Sequence, residues 1–540
     1  MSVFTLEAAQ GNPVTTETVD RLCSELGVSL KDDEKEEYRR LLAVFHDASE
    51  ALMGMEDYIP TVDESRFPRT NIRFPSKEEN THGAWAWKCD IVDADPPKGD
   101  TRPLLEGKKL CLKDMISVKD VPMLMGTKFI EGHAPDMDAT LVTRILEAGG
   151  HITGKAVCEN LCHSATSHSS GTGIVENPHC RGYSSGGSSS GSAVLVALGE
   201  TWGSVGADQG GSIRVPAANC GIIGLKPTFG LVPYTGCGSN EPTNDHVGPM
   251  TRTVHDNALL LEVIAGTDNI DDRGFAAPKP ENVPKYSQLV AALPLQSPLA
   301  GKKIGIITES LSTPATDPRV IETFLRAAEA FTSLGASVSQ VSIPIHKSGA
   351  AIWTGVSKTG GFLNKTHGSG GFGRRGHQML KLNSLLHPMQ QAQWQNAYSA
   401  TKNIYLNGAY ALHAFPTLLG KATNLSRQLR DSYDAALREY DVLITPTLPY
   451  VATSHAAPDA SPIAQISKQI GLTSNTAPFN QSGHPALAMP IGMLEVLEGL
   501  GVESRAKLPV SMQVVGKWWD ESTVLQIAAA WEAANDWRTM

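Results

Sequence analysis

From about residue 85 onward, short apolar segments that fit strands alternate with amphipathic segments that fit helices. The segment KKLCLKD at 108–114 predicts a strand, DATLVTRILEAGG at 138–150 predicts a helix closed by glycines, and HITGKAV at 151–157 predicts the next strand. A second unit of this kind begins with GKKIGIIT, and Asp317 suits the cap of its helix. Such units place their strands side by side and parallel. We therefore expect an α/β fold in which helices flank a large, mainly parallel mixed sheet.

Two clusters of glycine and serine interrupt this alternation, GYSSGGSSSGS at 182–192 and GADQGGS at 206–212. Composition alone favours a flexible linker, but both clusters run directly into segments that can pack, AVLVALGE and IRVPAA. Successive glycines let backbone N–H groups converge on one point, as in an oxyanion hole. Ser212, at the end of the second cluster, is therefore a candidate nucleophile, and Ser188 could relay its proton. Lys113 is the candidate base, because burial disfavours the charged form of a lysine.

The segment GGSSSGSAVLVALGETWGSVGADQGGSIRVPA, at 186–217, resembles the long signature of the amidase signature family with its spacing intact. The segments LKD, CGIIGLKPT, LITPTLP, APFNQSGHPALAMP and LPVSMQVVG also resemble that family in the same order. The resemblance implies the family's fold and a Ser-Ser-Lys catalytic group, here Ser212, Ser188 and Lys113, with a cis peptide bond before Ser188. It implies no metal and no organic cofactor.

The same resemblance implies an oxyanion hole that is formed by backbone N–H groups at Gln209, Gly210, Gly211 and Ser212. Asp208 and Arg214 flank this loop, and we expect them to brace it rather than to react. Ser190 stands where the family usually has glycine, and Ser185 stands where it often has proline. We expect both departures to be tolerated, with a shift of the loop that faces the substrate.

The expected activity is hydrolysis of carboxamides, which yields a carboxylate and ammonia or an amine through an acyl-enzyme. The expected ligand is thus a small-molecule amide. The segments DQGGS and KPTFGLVPYTG, together with a helical N-terminal region, resemble the bacterial amidases of nitrile degradation most closely.

Two alternatives remain open at the level of sequence. GSSSG at 187–191 fits the G-x-S-x-G motif of a Ser-His-Asp esterase with Ser189 as nucleophile, although that motif needs an apolar strand before it and NPHCRGYSS is polar. The amidase signature family also contains the glutamine-hydrolysing subunit of tRNA amidotransferases. DQGGS and the helical N-terminus disfavour that subunit.

The first 75 residues are expected to form a helical appendage, and residues 76–540 the catalytic domain. TETVDRLCSEL predicts one helix, which ends at Gly27, and DDEKEEYRRLLAVFHDASEALM predicts a second. The second helix carries an apolar stripe that consists of Tyr38, Leu41, Leu42, Phe45 and Leu52. The stripe would either form a homodimer, as the resemblance to the bacterial enzymes suggests, or dock on the chain's own catalytic domain.

The net charge and the cysteine content indicate which binding partners and which cellular compartment to expect. The net charge is −10 and the chain has no run of Lys or Arg, so we expect neither nucleic acid nor an anionic membrane as a partner. The eight cysteines include no CxxC motif, and a zinc site at Cys158, Cys162 and His163 would need a second ligand pair. We expect reduced thiols, no metal and a cytoplasmic location, since the first residues do not resemble a signal peptide.

The glycine-rich stretch 367–377 predicts a mobile surface loop.

Overall fold

A computed structural model of the protein describes residues 5–96, 103–313, 315–366, 374–457, 459–496 and 506–540. The predicted loop at 367–377 therefore lies mostly outside the described residues. The described strands are β1 (Thr70–Arg73), β2 (Trp85–Ile91), β3 (Lys109–Lys113), β4 (His151–Ala156), β5 (Gly203–Asp208), β6 (Ile223–Lys226), β7 (His246–Thr251), β8 (Lys303–Ile307), β9 (Ser337–Val341), β10 (Val442–Pro446), β11 (Ala486–Glu495) and β12 (Lys507–Val515). They form one sheet in the order β1-β2-β4-β3-β5-β7-β6-β11-β12-β10-β8-β9.

The flanking helices are α1 (Thr16–Leu26), α2 (Asp32–Met53), α3 (Thr140–Glu147), α4 (Ser190–Ala197), α5 (Arg214–Cys220), α6 (Val254–Ile264), α7 (Tyr286–Ala291), α8 (Pro318–Ser333), α9 (His346–Thr366), α10 (Leu380–Leu386), α11 (Gln391–Asn396), α12 (Ser399–Ala414), α13 (Leu418–Leu437), α14 (Pro462–Ser467), α15 (Ala477–Ser482) and α16 (Glu521–Ala534). As predicted, α3 connects the parallel strands β3 and β4, and α8 connects the parallel strands β8 and β9. Asp317 caps α8 by accepting a hydrogen bond from the Arg319 N–H.

The large mixed sheet flanked by helices is confirmed, but the expected excess of parallel pairs is not. Seven of the eleven neighbouring strand pairs in the described chain are antiparallel. The parallel pairs occur where a helix returns the chain to the same end of the sheet, as with β3 and β4. Between β6 and β7 the described chain contains no helix, and these strands pair antiparallel.

The two serine-rich clusters lead into short buried helices rather than into linkers. Every residue of α4 from Ser190 to Val196 is buried, and so is all of α5. The apolar side chains of α4 pack with Trp85, Cys111 and Met250 from three strands of the sheet. The start of each helix is thereby fixed against the sheet, and these two starts carry the serines considered below.

The contacts within the chain divide it into two compact units, Met1–Pro60 and Thr61–Met540. The first unit contains α1 and α2, the two helices that the sequence predicts. The boundary precedes residue 75 because β1 pairs antiparallel with β2 and so joins the sheet of the larger unit. In the first unit, four residues of the predicted stripe are exposed, namely Tyr38, Leu41, Phe45 and Leu52.

None of the helices within the described residues is both long enough and apolar enough to cross a membrane.

Candidate active site

Lys113 is the last residue of β3, a strand with parallel neighbours on both sides. Its side chain is 1% exposed. The Nζ atom lies 2.8 Å from Ser188 Oγ and also donates a hydrogen bond to the Ala207 carbonyl at 3.2 Å. The predicted lysine is therefore buried at the carboxyl end of its strand and in direct contact with the predicted relay serine.

Ser188 follows a cis peptide bond from Gly187, as the resemblance implies. Glu159 lies directly behind this bond, where its N–H donates to the Ser188 carbonyl at 3.2 Å. A Cβ at Gly187 would come within 2.8 Å of Glu159 Cγ, so only glycine fits this position. Ser190, one of the departures from the family pattern, donates to the Glu159 carboxylate at 2.8 Å. The hydroxyl group that Ser190 adds at this position thus has a hydrogen-bond acceptor in the buried Glu159 carboxylate.

Ser212 lies between β5 and α5, in the wall of a cleft that it shares with Lys113 and Ser188. Ser212 is partly exposed, whereas Lys113 and Ser188 are buried. It also lines a larger neighbouring cavity of about 200 Å³, which neither Lys113 nor Ser188 reaches. The structure therefore brings the three predicted residues together, with Ser212 where a ligand in the cavity would meet it first.

The backbone from Gln209 to Ser212 turns between β5 and α5. The N–H of Gly211 donates to Asp208 Oδ1 at 2.7 Å, so it is not free to bind a ligand. Within the described chain, the N–H groups of Gln209, Gly210 and Ser212 have no hydrogen-bond acceptor. The predicted set of four donors is thus corrected to three.

Two residues that the sequence did not single out hold the carbonyl groups of this turn, Trp353 in the wall of the cavity and Thr476 inside the protein. Trp353 Nε1, on α9, donates to the Gln209 carbonyl at 2.8 Å, and Thr476 Oγ1 donates to the Gly210 carbonyl at 2.7 Å. A Cβ at Gly210 would meet the Trp353 ring at 2.6 Å. Fixing the carbonyls also fixes the direction of the N–H groups.

Asp208 and Arg214 form a fully buried ion pair beneath the turn, with Arg214 Nη2 2.9 Å from Asp208 Oδ1. Arg214 also donates to Asn480 and Gln513, and Asn480 donates to Asp208. Burial alone would raise the pKa of the Asp208 carboxyl, but the charge of Arg214 and hydrogen bonds from Arg214 and Asn480 hold that pKa far below its usual range. Both charges therefore have partners inside the protein, and their hydrogen bonds connect β5, α5 and α15.

Ser189, the nucleophile of the alternative esterase motif, points into the protein. It is fully buried and its Oγ donates to the Ala207 carbonyl at 3.2 Å. The residues before Ser189 form turns and bends, and none of the described strands ends there. The strand–turn–helix context that the esterase motif needs is therefore missing.

Cys158, Cys162 and His163 lie beside this site without forming a metal centre. Among the residues that the structure describes, no three His, Cys, Asp or Glu side chains are arranged to hold a metal ion. All eight cysteines are unpaired. His163 Nδ1 instead lies 3.3 Å from the Thr401 hydroxyl, and Cys162 lines both the cleft and the larger cavity.

Similarity to known proteins extends over most of the chain. The Amidase family model matches residues 82–525. An enantioselective amidase of Rhodococcus rhodochrous is 36% identical over 472 residues, which is 86% of this chain and 85% of that protein. A glutamyl-tRNA(Gln) amidotransferase subunit of a Cyanothece species is 31% identical over 83% of this chain and 88% of that protein. The native peptide amidase from Stenotrophomonas maltophilia is 27% identical, with a TM-score of 0.64, and the match covers 80% of this chain and 83% of that one.

Sequence, fold and family model therefore agree, and the chain belongs to the amidase signature family of hydrolases that cleave carbon–nitrogen bonds in amides.

Proposed function

We propose that this amidohydrolase cleaves small carboxamides through an acyl-enzyme on Ser212, with Ser188 as proton relay and Lys113 as base. The observation that carries the proposal is the 2.8 Å separation of Lys113 Nζ and Ser188 Oγ in a cleft that Ser212 also lines. A buried lysine in contact with a hydroxyl can accept a proton when it is neutral.

In the first half of the reaction, Lys113 withdraws the Ser188 proton while Ser188 takes the proton of Ser212. The Ser212 Oγ then attacks the amide carbonyl carbon and forms a tetrahedral intermediate. Its negative oxygen is stabilised by the N–H groups of Gln209, Gly210 and Ser212, which have no acceptor within the described chain. Ser188 returns a proton to the leaving nitrogen, and the amine or ammonia departs.

In the second half, water attacks the ester on Ser212 and loses its proton to the same pair, Ser188 and Lys113. The ester C–O bond breaks, Ser212 regains its proton, and the carboxylic acid leaves and loses its remaining proton to solvent. Both halves use the same groups and return them to their starting protonation states, so these steps draw only on the chain, the substrate and water.

A second candidate is the glutamine-hydrolysing subunit of an amidotransferase complex, which the 31% identity to such a protein supports. The higher identity to an enantioselective amidase favours an amidase over an amidotransferase subunit. In both cases the nucleophile is Ser212, so the two candidates differ in substrate and partner but share the proposed mechanism.

We further propose a cytoplasmic location and a homodimer. Eight unpaired cysteines support a reducing compartment. The exposed apolar side chains of Tyr38, Leu41, Phe45 and Leu52 on α2 support a contact between two copies of the first unit.

The test of the proposed function is hydrolysis of a panel of aliphatic, aromatic and amino-acid amides by the purified protein without partners. Ser212→Ala should abolish turnover, and Ser189→Ala is the matched control, since it removes a neighbouring hydroxyl that lines neither the cleft nor the larger cavity. Retained activity in Ser212→Ala would contradict the assignment of the nucleophile. Turnover of glutamine alone, and only after addition of other subunits, would favour the second candidate.

A further inference from the structure

The cavity in front of Ser212 has an unbalanced charge. Its described walls include Lys358 on α9 and the apolar side chains of Val215, Ile404 and Ile466, but neither an aspartate nor a glutamate. The side chain of Lys358 makes no ion pair with any carboxylate in the described parts of the chain. The wall of a ligand-sized cavity thus contains a lysine that has no carboxylate partner among the described residues.

The charge state of Lys358 follows from its surroundings. Burial lowers its pKa to about 8, and no neighbouring charge contributes to the shift. The ammonium is therefore mostly protonated at neutral pH, although the cavity wall offers it no counter-ion. Because an unpaired cation in a partly buried site is costly, a ligand that brings a negative group would be favoured there.

The other titratable groups that line the cavity, His163 and Cys162, do not act as a negative partner of Lys358. Burial, with the charges of Lys365 and Lys358, lowers the pKa of His163 well below its usual range, so this ring is neutral. A hydrogen bond from Cys158 lowers the pKa of Cys162 although burial opposes it. Any charge on that sulfur acts on Lys365 and not on Lys358.

The position of Lys358 relative to the reacting atoms follows from α9. Trp353, on the same helix, donates to the Gln209 carbonyl in the turn that carries the free N–H groups. Lys358 is five residues further along, about 7.5 Å in axial rise. Lys358, Trp353 and Ser212 line the same cavity, so a short substrate bound at Ser212 can also contact Lys358.

We propose that the substrate is an amide that also bears a carboxylate, and that Lys358 is the specificity-determining residue that binds this carboxylate. This inference rests on the proposed function, because it assumes that the scissile amide lies at Ser212. The carboxylate neutralises Lys358, while the apolar side chains of the cavity contact the carbon chain between the two groups. A monoamide of a short dicarboxylic acid has this chemistry.

The test compares succinamate with butanamide, a neutral amide with the same carbon chain, in three variants. Lys358→Met removes the charge at similar length, Lys358→Arg keeps it, and Lys347→Met removes an exposed lysine from the same helix as the matched control. We expect Lys358→Met to lower kcat/KM for succinamate about 10- to 100-fold, mainly through KM, as for loss of a charged hydrogen bond. Butanamide kinetics should change little, and Lys358→Arg and Lys347→Met should retain most of the succinamate activity.

Two further readouts separate the possible failures. The KM for succinamate should rise above about pH 8, as Lys358 loses its proton, while the KM for butanamide should show no such rise. Succinamate should also protect Ser212 from a fluorophosphonate probe better than butanamide does, and Lys358→Met should remove this difference. A labelled Ser212 with equal protection by both amides would overturn the role of Lys358 and leave the proposed function intact. Absence of both labelling and hydrolysis would instead contradict the proposed function.

Discussion

Lys113, Ser188 and Ser212 reach one cleft from three different elements. Lys113 ends β3, Ser188 stands two residues before α4, and Ser212 stands two residues before α5. Each position has a local cause, because a parallel strand directs its carboxyl end to the same edge of the sheet as its neighbours and the glycine turns carry the two serines there. The proposed mechanism depends on the contact of Lys113 with Ser188, and substitution of either residue tests it directly.

The first prediction concerns the role of Lys113 as base. In Lys113→Arg the guanidinium is positively charged throughout the accessible pH range, so it cannot accept a proton. We expect kcat/KM to fall by about 10²- to 10⁴-fold, the usual contribution of a general base. The measurement is amide hydrolysis, with circular dichroism to verify the fold. A variant near wild-type activity would mean that Lys113 acts only through its charge.

The sequence predicts site residues that lie inside recognisable motifs, and it gives no signal for the residues that hold those motifs in place. Lys113, Ser188 and Ser212 stand in or beside glycine-rich or strand-like patterns that have a chemical explanation. Trp353 and Thr476 lie more than a hundred residues away in ordinary helical or loop sequence. Their roles depend on long-range packing against Gln209 and Gly210, which has no local signal.

At the scale of the element, the turn between β5 and α5 combines two opposite demands. In the proposed mechanism its N–H groups bind the substrate oxygen, while its carbonyls and the carboxylate of Asp208 are held by other parts of the chain. Trp353 and Thr476 hold the carbonyls, and the Asp208–Arg214 pair occupies the N–H of Gly211. The turn is thus defined by contacts on both sides, and a single added methyl group should disturb it.

The second prediction follows from this packing. Gly210→Ala would place a Cβ 2.6 Å from the Trp353 ring, so either the ring or the turn has to move. We expect kcat to fall at least about tenfold, since an oxyanion-hole donor contributes 10²- to 10³-fold, with a loss of about 1–3 kcal/mol in the free energy of unfolding. Kinetics and urea unfolding provide the two measurements.

A double mutant provides the control for that prediction. Trp353→Phe removes the ring atoms nearest to the added Cβ, at the expense of the hydrogen bond to Gln209. Gly210→Ala should therefore cost less activity in the Trp353→Phe background than in the wild-type protein. Equal losses in both backgrounds would show that the clash with Trp353 is not the cause.

The strand directions show what sequence periodicity can and cannot predict about the sheet. The alternation of strands and helices correctly predicted the parallel pairs β3–β4 and β8–β9, because an intervening helix fixes the direction of return. The antiparallel pairs β6–β7 and β11–β12 are joined by irregular or undescribed segments. Apolar strand patterns look alike in both directions, so the sequence did not distinguish them.

At the scale of the whole molecule, the helical first unit is the part with the least assigned role. Its two helices were predicted from their periodicity and caps, and the compact unit that contains them ends at Pro60, before the polar, proline-rich stretch with the short strand β1. The exposed apolar stripe on α2 is the feature of this unit that suits a partner.

The third prediction is that this stripe forms a homodimer contact. Phe45→Glu with Leu52→Glu would place two charges in an apolar interface, where an unpaired charge is costly. We expect the mass measured by light scattering to fall from that of a dimer to that of a monomer. The control is the double variant Glu37→Gln with Glu50→Gln on the same helix, which changes the net charge by two units but leaves the apolar stripe intact. A monomeric wild-type protein would contradict the dimer.

The central claim, that Ser212 is the nucleophile, is tested most directly by mapping a covalent fluorophosphonate adduct with peptide mass spectrometry. We expect one adduct, on Ser212 in the peptide that contains DQGGSIR, and no adduct in Ser212→Ala. Labelling should be slower in Lys113→Arg, because the proposed base is then missing. An adduct on Ser189 or on Ser188 in the wild-type protein would contradict the assignment of Ser212 as nucleophile.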